Sequence, residues 1–165
     1  MMIKDNVEKI LGSSGALSEK LEGFEHRPQQ MEMAKAVETA FSEAQHLIVE
    51  AGTGTGKSLA YLIPAILWAV ENNKKVVIST YTKTLQQQIL NHDIPFIREK
   101  LGIPFRYALC MGNENYLSLR RLKRSAQAGL FNKAEEEAQW NGVFDWAVKT
   151  ETGYRNDLPF EVMPQ

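Results

Sequence analysis

The stretch EAGTGTGKSLAYLIPA, residues 50–65, joins a glycine-rich loop to a long apolar segment. Its part AGTGTGKS fits the phosphate-loop pattern G-x-x-x-x-G-K-[ST], with Ala51 in the place of the first glycine. Gly54 and Gly56 allow backbone turns that direct successive N–H groups toward phosphate oxygens. Lys57 would place a positive charge near the terminal phosphates, and the Ser58 hydroxyl is a ligand type that suits Mg²⁺. The sequence therefore predicts an ATP and Mg²⁺ site with Lys57 and Ser58 as its catalytic pair, formed by Ala51, Gly52, Thr53, Gly54, Thr55, Gly56, Lys57 and Ser58.

The segments on either side of the loop predict an α/β fold. HLIVEAG (46–52) has the composition of a buried strand, and a largely apolar helix is expected from Lys57 to about Glu71, kinked or split at Pro64. KKVVIST (74–80) and FRYALCMG (105–112) are further strand candidates, with helical patterns between them. Strands that alternate with helices predict a parallel sheet flanked by helices.

The composition predicts a soluble cytoplasmic protein. Hydrophobic residues make up 44% and charged residues 24% of the chain, a globular balance, and the net charge of −1 provides no general attraction for nucleic acid. The apolar run 59–70 is shorter than the ~20 residues of a membrane-spanning helix, so no membrane partner is expected. The three histidines show no ligand spacing, so we expect no metal beyond Mg²⁺.

The loop and the segment before it resemble the DinG/XPD-like branch of superfamily 2 helicases. The resemblance rests on two stretches, AGTGTGKS and FEHRPQQMEMA (24–34). In the second stretch an Arg-Pro-x-Gln run precedes a predicted helix. The resemblance implies a partial RecA-like P-loop domain that binds ATP. It also implies that Arg27 and Gln30 belong to the nucleotide site, since the Gln30 amide can both donate to and accept from an adenine edge.

A second stretch, VVISTYTKTLQQQIL (76–90), is similar to motif Ia of these helicases. The similarity implies that Thr80, Thr82 and Thr84 contact the backbone of single-stranded DNA, with RNA or a hybrid left open. Hydroxyl and N–H groups suit phosphate contacts that do not depend on sequence.

A third stretch, GNENYLSLRRLKR (112–124), resembles the G-x-x-N-Y-L-C segment of the family, whose cysteine ligates an iron–sulfur cluster. Ser118 occupies the position of that cysteine, and the chain contains a single cysteine, Cys110. Because a cluster of this kind needs several thiolate ligands, no iron–sulfur cluster is expected. Arg120 and Arg121 begin a basic run that would contact DNA, or that simply forms the solvent face of a helix.

The resemblance predicts three regions: a helical lead-in over 1–23, part of a first RecA-like ATP-binding domain over 24–112, and the start of an inserted helical domain over 113–165. The family's D-E-x-H box, which orients Mg²⁺ and the attacking water, does not occur in the sequence. The nearest approximation, Asp145, is followed by Trp146 and lies in a helical pattern.

We therefore expect a chain that binds ATP without steady turnover and does not unwind DNA alone. Exposed apolar strands are also expected to cause self-association. Two alternatives stay open from the sequence, a small P-loop phosphotransferase and a non-catalytic interaction domain that nucleotide stabilises.

Overall fold

The computed structural model describes residues 7–20, 23–128 and 134–161, and the chain forms two compact units, Met1–Tyr107 and Ala108–Gln165. The parts of the predicted lead-in and inserted domain that fall on residues 1–6, 21–22, 129–133 and 162–165 lie outside the described residues.

The first unit is built from helices. Its helices are α1 (Val7–Leu11), α2 (Ala16–Lys20), α3 (Pro28–Glu43), α4 (Lys57–Asn72), α5 (Lys83–Gln88) and α6 (Ile94–Leu101), with a π-helical turn at Ile89–Asp93. The side chains of α1, α2, α3, α4, the π turn and α6 together enclose one apolar core, whose most deeply buried members include Val7, Leu11, Leu17, Leu62, Ile63 and Ile97. Burial of such side chains is the main favourable contribution to the stability of this unit.

The long helices α3 and α4 pack against each other and frame the glycine-rich loop. Pro28 begins α3, where a residue without an N–H is tolerated, and the rings of Phe41 and Trp68 stack with centroids 5.1 Å apart. The helix α4 continues through Pro64, so the predicted split is wrong, while the alternative of a kink at Pro64 stays a prediction. Pro64 and its neighbours Leu62 and Ile63 are buried, and this packing compensates for the backbone hydrogen bond that proline cannot donate.

The predicted parallel sheet is wrong for the part of the chain that the structure describes. Residues 45–52, 74–80 and 102–112 form no ladder, and the bridge recorded between Tyr116 and Tyr154 is isolated and antiparallel. Ile48 is 98% exposed and Val77 88% exposed, so these apolar residues do not contribute to the core. Apolar composition indicates that a segment can form a strand, whereas a strand also requires a hydrogen-bonded neighbour, which these segments do not have. The expected self-association stays a prediction.

The segment from Lys83 to Leu101 is helical throughout, because α5, the π turn and α6 follow each other without a break. The sequence predicts a restart at Asp93 and Pro95 instead. The π turn ends at Asp93, two residues before Pro95, which has no N–H to donate to the regular hydrogen-bond ladder. Asp93 keeps helical backbone angles and makes no capping bond, so it does not begin a new helix.

The second unit contains α7 (Leu119–Ala128) and α8 (Ala134–Lys149), with 3₁₀ turns at Asn113–Asn115 and Arg155–Asp157. The Leu117 N–H donates to the Gly153 carbonyl at 2.8 Å, and the rings of Tyr116 and Tyr154 lie 5.8 Å apart. These contacts join the segment around residue 116 to the segment around residue 154. No described helix in either unit combines the length and the apolarity needed to cross a bilayer.

The contrast between Ile63 and Ile48 provides a matched test of this fold. Ile63 is 1% exposed and Ile48 is 98% exposed. We expect Ile63→Ala to lower the free energy of unfolding by about 2–5 kcal/mol, because it leaves a cavity in the core. Ile48→Ala should stay within about 0.5 kcal/mol of the parent chain. Urea unfolding followed by circular dichroism measures both, and a comparable loss for Ile48→Ala would show that residues 46–50 are packed in solution.

Candidate nucleotide-binding site

The glycine-rich loop has the backbone that a phosphate cradle requires. Gly54 and Gly56 adopt positive φ angles of 79° and 77°, where residues with a Cβ are strained. The helix α4 begins at Lys57, with no side-chain cap at Gly56 and no acidic residue in its first turn. The first N–H groups of a helix have no partner inside the helix, so the start of α4 offers free donors and a positive dipole end to an anion.

Lys57 holds the two ends of the loop together. Its Nζ donates to the carbonyl oxygens of Ala51 at 3.0 Å and Gly52 at 2.6 Å. The Thr55 hydroxyl also donates to the Gly52 carbonyl, at 3.0 Å. The Lys57 ammonium group therefore contacts the backbone of the loop. Lys57 is also the residue for which the sequence predicts a phosphate contact.

Arg27 and Gln30 both contact the loop from the start of α3. Arg27 donates to the Gly54 carbonyl at 2.6 Å, and the Gln30 amide donates to the Gly56 carbonyl at 2.9 Å. Gln30 is 6% exposed, whereas the Arg27 side chain is half-exposed and also pairs with Glu25 at 3.6 Å. The structure thus brings both residues to the loop, and the contact of Gln30 with adenine stays a prediction.

A cleft of about 310 Å³ opens beside the loop and the start of α4. Its lining residues are Gly54, Gly56, Lys57, Ser58, Leu59, Gln88 and Asp93. Gln88 and Asp93 come from the end of α5 and the π turn, about thirty positions beyond the loop, and the sequence motifs do not include them. The cleft therefore combines a positive loop with one carboxylate from a neighbouring helix.

Asp93 is the buried acidic group of this cleft. It is 6% exposed, and its Oδ1 lies 3.0 Å from Nδ1 of the exposed His92. Its buried Oδ2 has no hydrogen-bond partner among the described residues. In the sequence Asp93 lies four residues from both Ile89 and Ile97, and the structure shows that all three residues are buried on the same helical stretch.

Tyr61 connects Asp93 to the loop. Burial raises the pKa of the Tyr61 hydroxyl, a hydrogen bond with Ser58 acts in the opposite direction, and the negative charge of Asp93 adds to the rise. Tyr61 therefore interacts with both Ser58 and Asp93. The described residues hold no cluster of three His, Cys, Asp or Glu side chains suited to a metal ion, so a cation here would take most of its ligands from phosphate and water.

The predicted DNA contacts of the first unit lie at the start of α5. The Thr82 hydroxyl caps this helix by accepting from the Leu85 N–H at 3.2 Å, and the Thr80 hydroxyl donates to the Thr82 carbonyl at 3.3 Å. Thr84 is exposed in the first turn. Tyr81 is not among the predicted DNA contacts, but its ring is fully exposed and it lies between Thr80 and Thr82 in the chain.

Arg120 and Arg121 lie on α7 of the second unit and are exposed, while Leu122 between the basic residues is buried. Ser118, at the position of the family's cysteine, accepts a hydrogen bond from the Arg121 N–H at 3.4 Å and so caps α7. Asp145 is exposed on α8.

Comparisons with known proteins agree on one family. The family model described as "DEAD/DEAH box helicase" matches residues 27–132. The chain is 39% identical to "ATP-dependent DNA helicase YoaA" of Haemophilus influenzae over 93% of its own length and 23% of that protein. It is 36% identical to "3'-5' exonuclease DinG" of Bacillus subtilis, covering 86% of this chain and 15% of that protein. It is also 39% identical to "ATP-dependent helicase DinG" of Mycobacterium tuberculosis, over 82% of this chain and 23% of that protein. The chain thus spans less than a quarter of the length of these relatives.

The contact between Gln30 and Gly56 can be tested with two glycines of similar backbone angle. A Cβ added at Gly56 would collide with the Gln30 amide, whereas one added at Gly102, φ 66°, meets nothing within 4 Å. Gly102→Ala should cost roughly 1–2 kcal/mol of unfolding free energy from the positive φ alone. Gly56→Ala should cost about 1 kcal/mol more, because the Gln30 hydrogen bond is lost.

The same comparison in a Gln30→Ala background is the control. There the extra cost of Gly56→Ala should disappear, since the colliding amide is gone. Equal costs for the two glycines in the parent chain, measured by urea unfolding, would contradict the close packing of Gln30 on the loop.

Proposed function

Because this chain belongs to the DEAD/DEAH box helicase family, we propose that it is the ATP- and DNA-binding N-terminal portion of a DinG-like ATP-dependent helicase. One observation carries the proposal. The start of α4 has no side-chain cap, and its first residues, Lys57 and Ser58, line a cleft within the residues that the family model matches. In the whole protein, this portion would couple ATP binding and hydrolysis to movement on single-stranded DNA.

The phosphates of ATP would lie against the loop and the start of α4. Free N–H groups of this first turn donate to phosphate oxygens, and Lys57 exchanges its carbonyl partners for the terminal phosphates. Ser58 would face the Mg²⁺ that accompanies the nucleotide, and this ion supplies charge neutralisation on the phosphates. Arg27 and Gln30 keep the loop in this shape through their bonds to Gly54 and Gly56.

Each unit has its own group of residues that would contact single-stranded DNA. The first consists of Thr80, Thr82 and Thr84, and the exposed Tyr81 ring beside them can stack on a base. The second consists of Arg120 and Arg121 on the exposed side of α7, which attract the phosphate backbone.

We propose that this chain binds ATP without sustained hydrolysis, because the D-E-x-H box is absent from its sequence. Family membership argues against a small P-loop phosphotransferase. A non-catalytic interaction domain makes a different prediction, since nucleotide would stabilise it while DNA would have no effect.

ATP binding is tested by thermal and urea unfolding of the chain with Mg²⁺-ATP. At about 100 times the Kd, ATP should add about 2.7 kcal/mol to the free energy of unfolding. Lys57→Ala should abolish this gain because the phosphates lose their cation. Lys75→Ala, an exposed lysine remote from the loop in sequence, is the matched control and should keep it. Steady release of phosphate by the parent chain, lost in Lys57→Ala, would contradict the absence of turnover.

DNA binding is tested by titrating a fluorescent oligothymidylate at several salt concentrations. The double variant Arg120→Ala/Arg121→Ala should weaken binding and lower the slope of log K against log salt by about 0.7 for each phosphate that the variant no longer neutralises. Arg155→Ala, another exposed arginine of the second unit, should leave the slope unchanged. If all three chains bind with the same slope, α7 is not part of the DNA interface.

A further inference from the structure

Asp93 combines burial, an unsatisfied oxygen and a position in the nucleotide cleft. Only 6% of the residue is exposed, and its Oδ2 finds no hydrogen-bond partner in the part of the chain that the structure describes. The residue lines the same cleft as Lys57 and Ser58. Burying a carboxylate without a full set of hydrogen-bond partners costs folding free energy. An aspartate with this cost in the cleft therefore calls for a specific role.

The contacts of Asp93 within the protein do not supply that role. It does not cap a helix, because it has helical backbone angles and makes no capping bond. His92 engages Oδ1 and is itself 77% exposed at the side chain, which leaves Oδ2 unsatisfied. Lys57, the cation of the cleft, donates to the carbonyls of Ala51 and Gly52.

The position of the carboxylate is also unfavourable for a bare nucleotide. Two negative groups in one cleft repel each other, so the Asp93 carboxylate would oppose the binding of free triphosphate at the loop. A divalent cation placed between them reverses this effect. Mg²⁺ is bound in many nucleotide sites by one or two protein oxygens, with phosphates and water completing its shell.

We propose that Asp93 is the acidic group that holds the nucleotide's divalent cation in this chain, with Oδ2 facing the cation directly or through one of its water molecules. Ser58 lines the same cleft at the start of α4, and its hydroxyl would face the same cation. This inference rests on the proposed ATP site, and it assigns to the π turn a role in binding that the loop motif does not include.

The test compares ATP affinity with Mg²⁺ and with EDTA for the full chain and for Asp93→Asn, by calorimetric titration or fluorescent-nucleotide displacement. In the parent chain Mg²⁺ should lower the Kd for ATP. In Asp93→Asn the Kd with Mg²⁺ should rise about tenfold. The Kd in EDTA should stay equal or fall, because a repulsive charge is gone. The quantity to compare is the ratio of the Kd in EDTA to the Kd with Mg²⁺. This ratio should be about tenfold or more lower in Asp93→Asn than in the parent chain.

The matched control is Glu99→Gln, which removes an exposed carboxylate from α6, in the same helical stretch. Its Kd ratio should equal that of the parent chain. An unchanged ratio in Asp93→Asn, or equal weakening with Mg²⁺ and EDTA, would overturn the proposal and leave Asp93 a structural residue. A parent chain that binds ATP equally well with and without Mg²⁺ would also overturn it, whereas a parent chain that binds no ATP would refute the proposed function itself.

A second measurement uses the unmodified chain and does not depend on the folding of Asp93→Asn. Fe²⁺ in place of Mg²⁺, with ATP, ascorbate and peroxide, cuts a polypeptide next to the bound cation. Cuts near both residue 58 and residue 93 are expected, and mass spectrometry locates them. Cuts confined to the loop, or cuts that do not require ATP, would place the cation away from Asp93.

Discussion

The hydrogen bond between the Gln30 amide and the Gly56 carbonyl fixes the position of the glycine-rich loop relative to α3. It joins the first turn of α3 to the residue that directly precedes α4, and the stacked rings of Phe41 and Trp68 join the other ends of the same two helices. A loop with two positive-φ glycines has considerable freedom in isolation, and its ordering costs conformational entropy. The packing of α3 on α4 offsets that cost before any ligand binds, so the donors at the start of α4 are already in place.

The local features of the site could be predicted from sequence, because a contiguous stretch specifies them. Residues 51–58 form a glycine loop followed by a helix start, and Arg27 and Gln30 do lie against it. The sheet could not be predicted in the same way. HLIVEAG and KKVVIST have strand composition, yet pairing depends on neighbours that no single segment encodes, and in the described residues both segments stay unpaired. Family membership implies a RecA-like fold, so composition and family both predict strands, and residues 7–20, 23–128 and 134–161 do not form them.

The place of Asp93 in the cleft could not be predicted for a related reason. A polar residue near a proline is usually a helix start, and by that local rule Asp93 and Pro95 would begin a helix. The continuous helical stretch through the π turn overrides it, and the buried spacing of Ile89, Asp93 and Ile97 becomes informative only once this continuity is known. The cleft partners of the loop are therefore determined by tertiary packing, which sequence patterns describe poorly.

The motif residues of the second unit illustrate how structural and functional roles overlap. In the segment that resembles the family's cluster-binding region, Asn115 is buried and its side chain donates to the Gly112 carbonyl at 3.1 Å. The Tyr116 hydroxyl accepts from the Met111 N–H at 3.0 Å, and its ring faces Tyr154. Ser118 caps α7, a task that a hydroxyl performs and a thiol performs poorly. A serine at this position is thus compatible with the local fold without any metal ligand, because the surrounding Asn-Tyr-Leu residues are held by contacts within the protein.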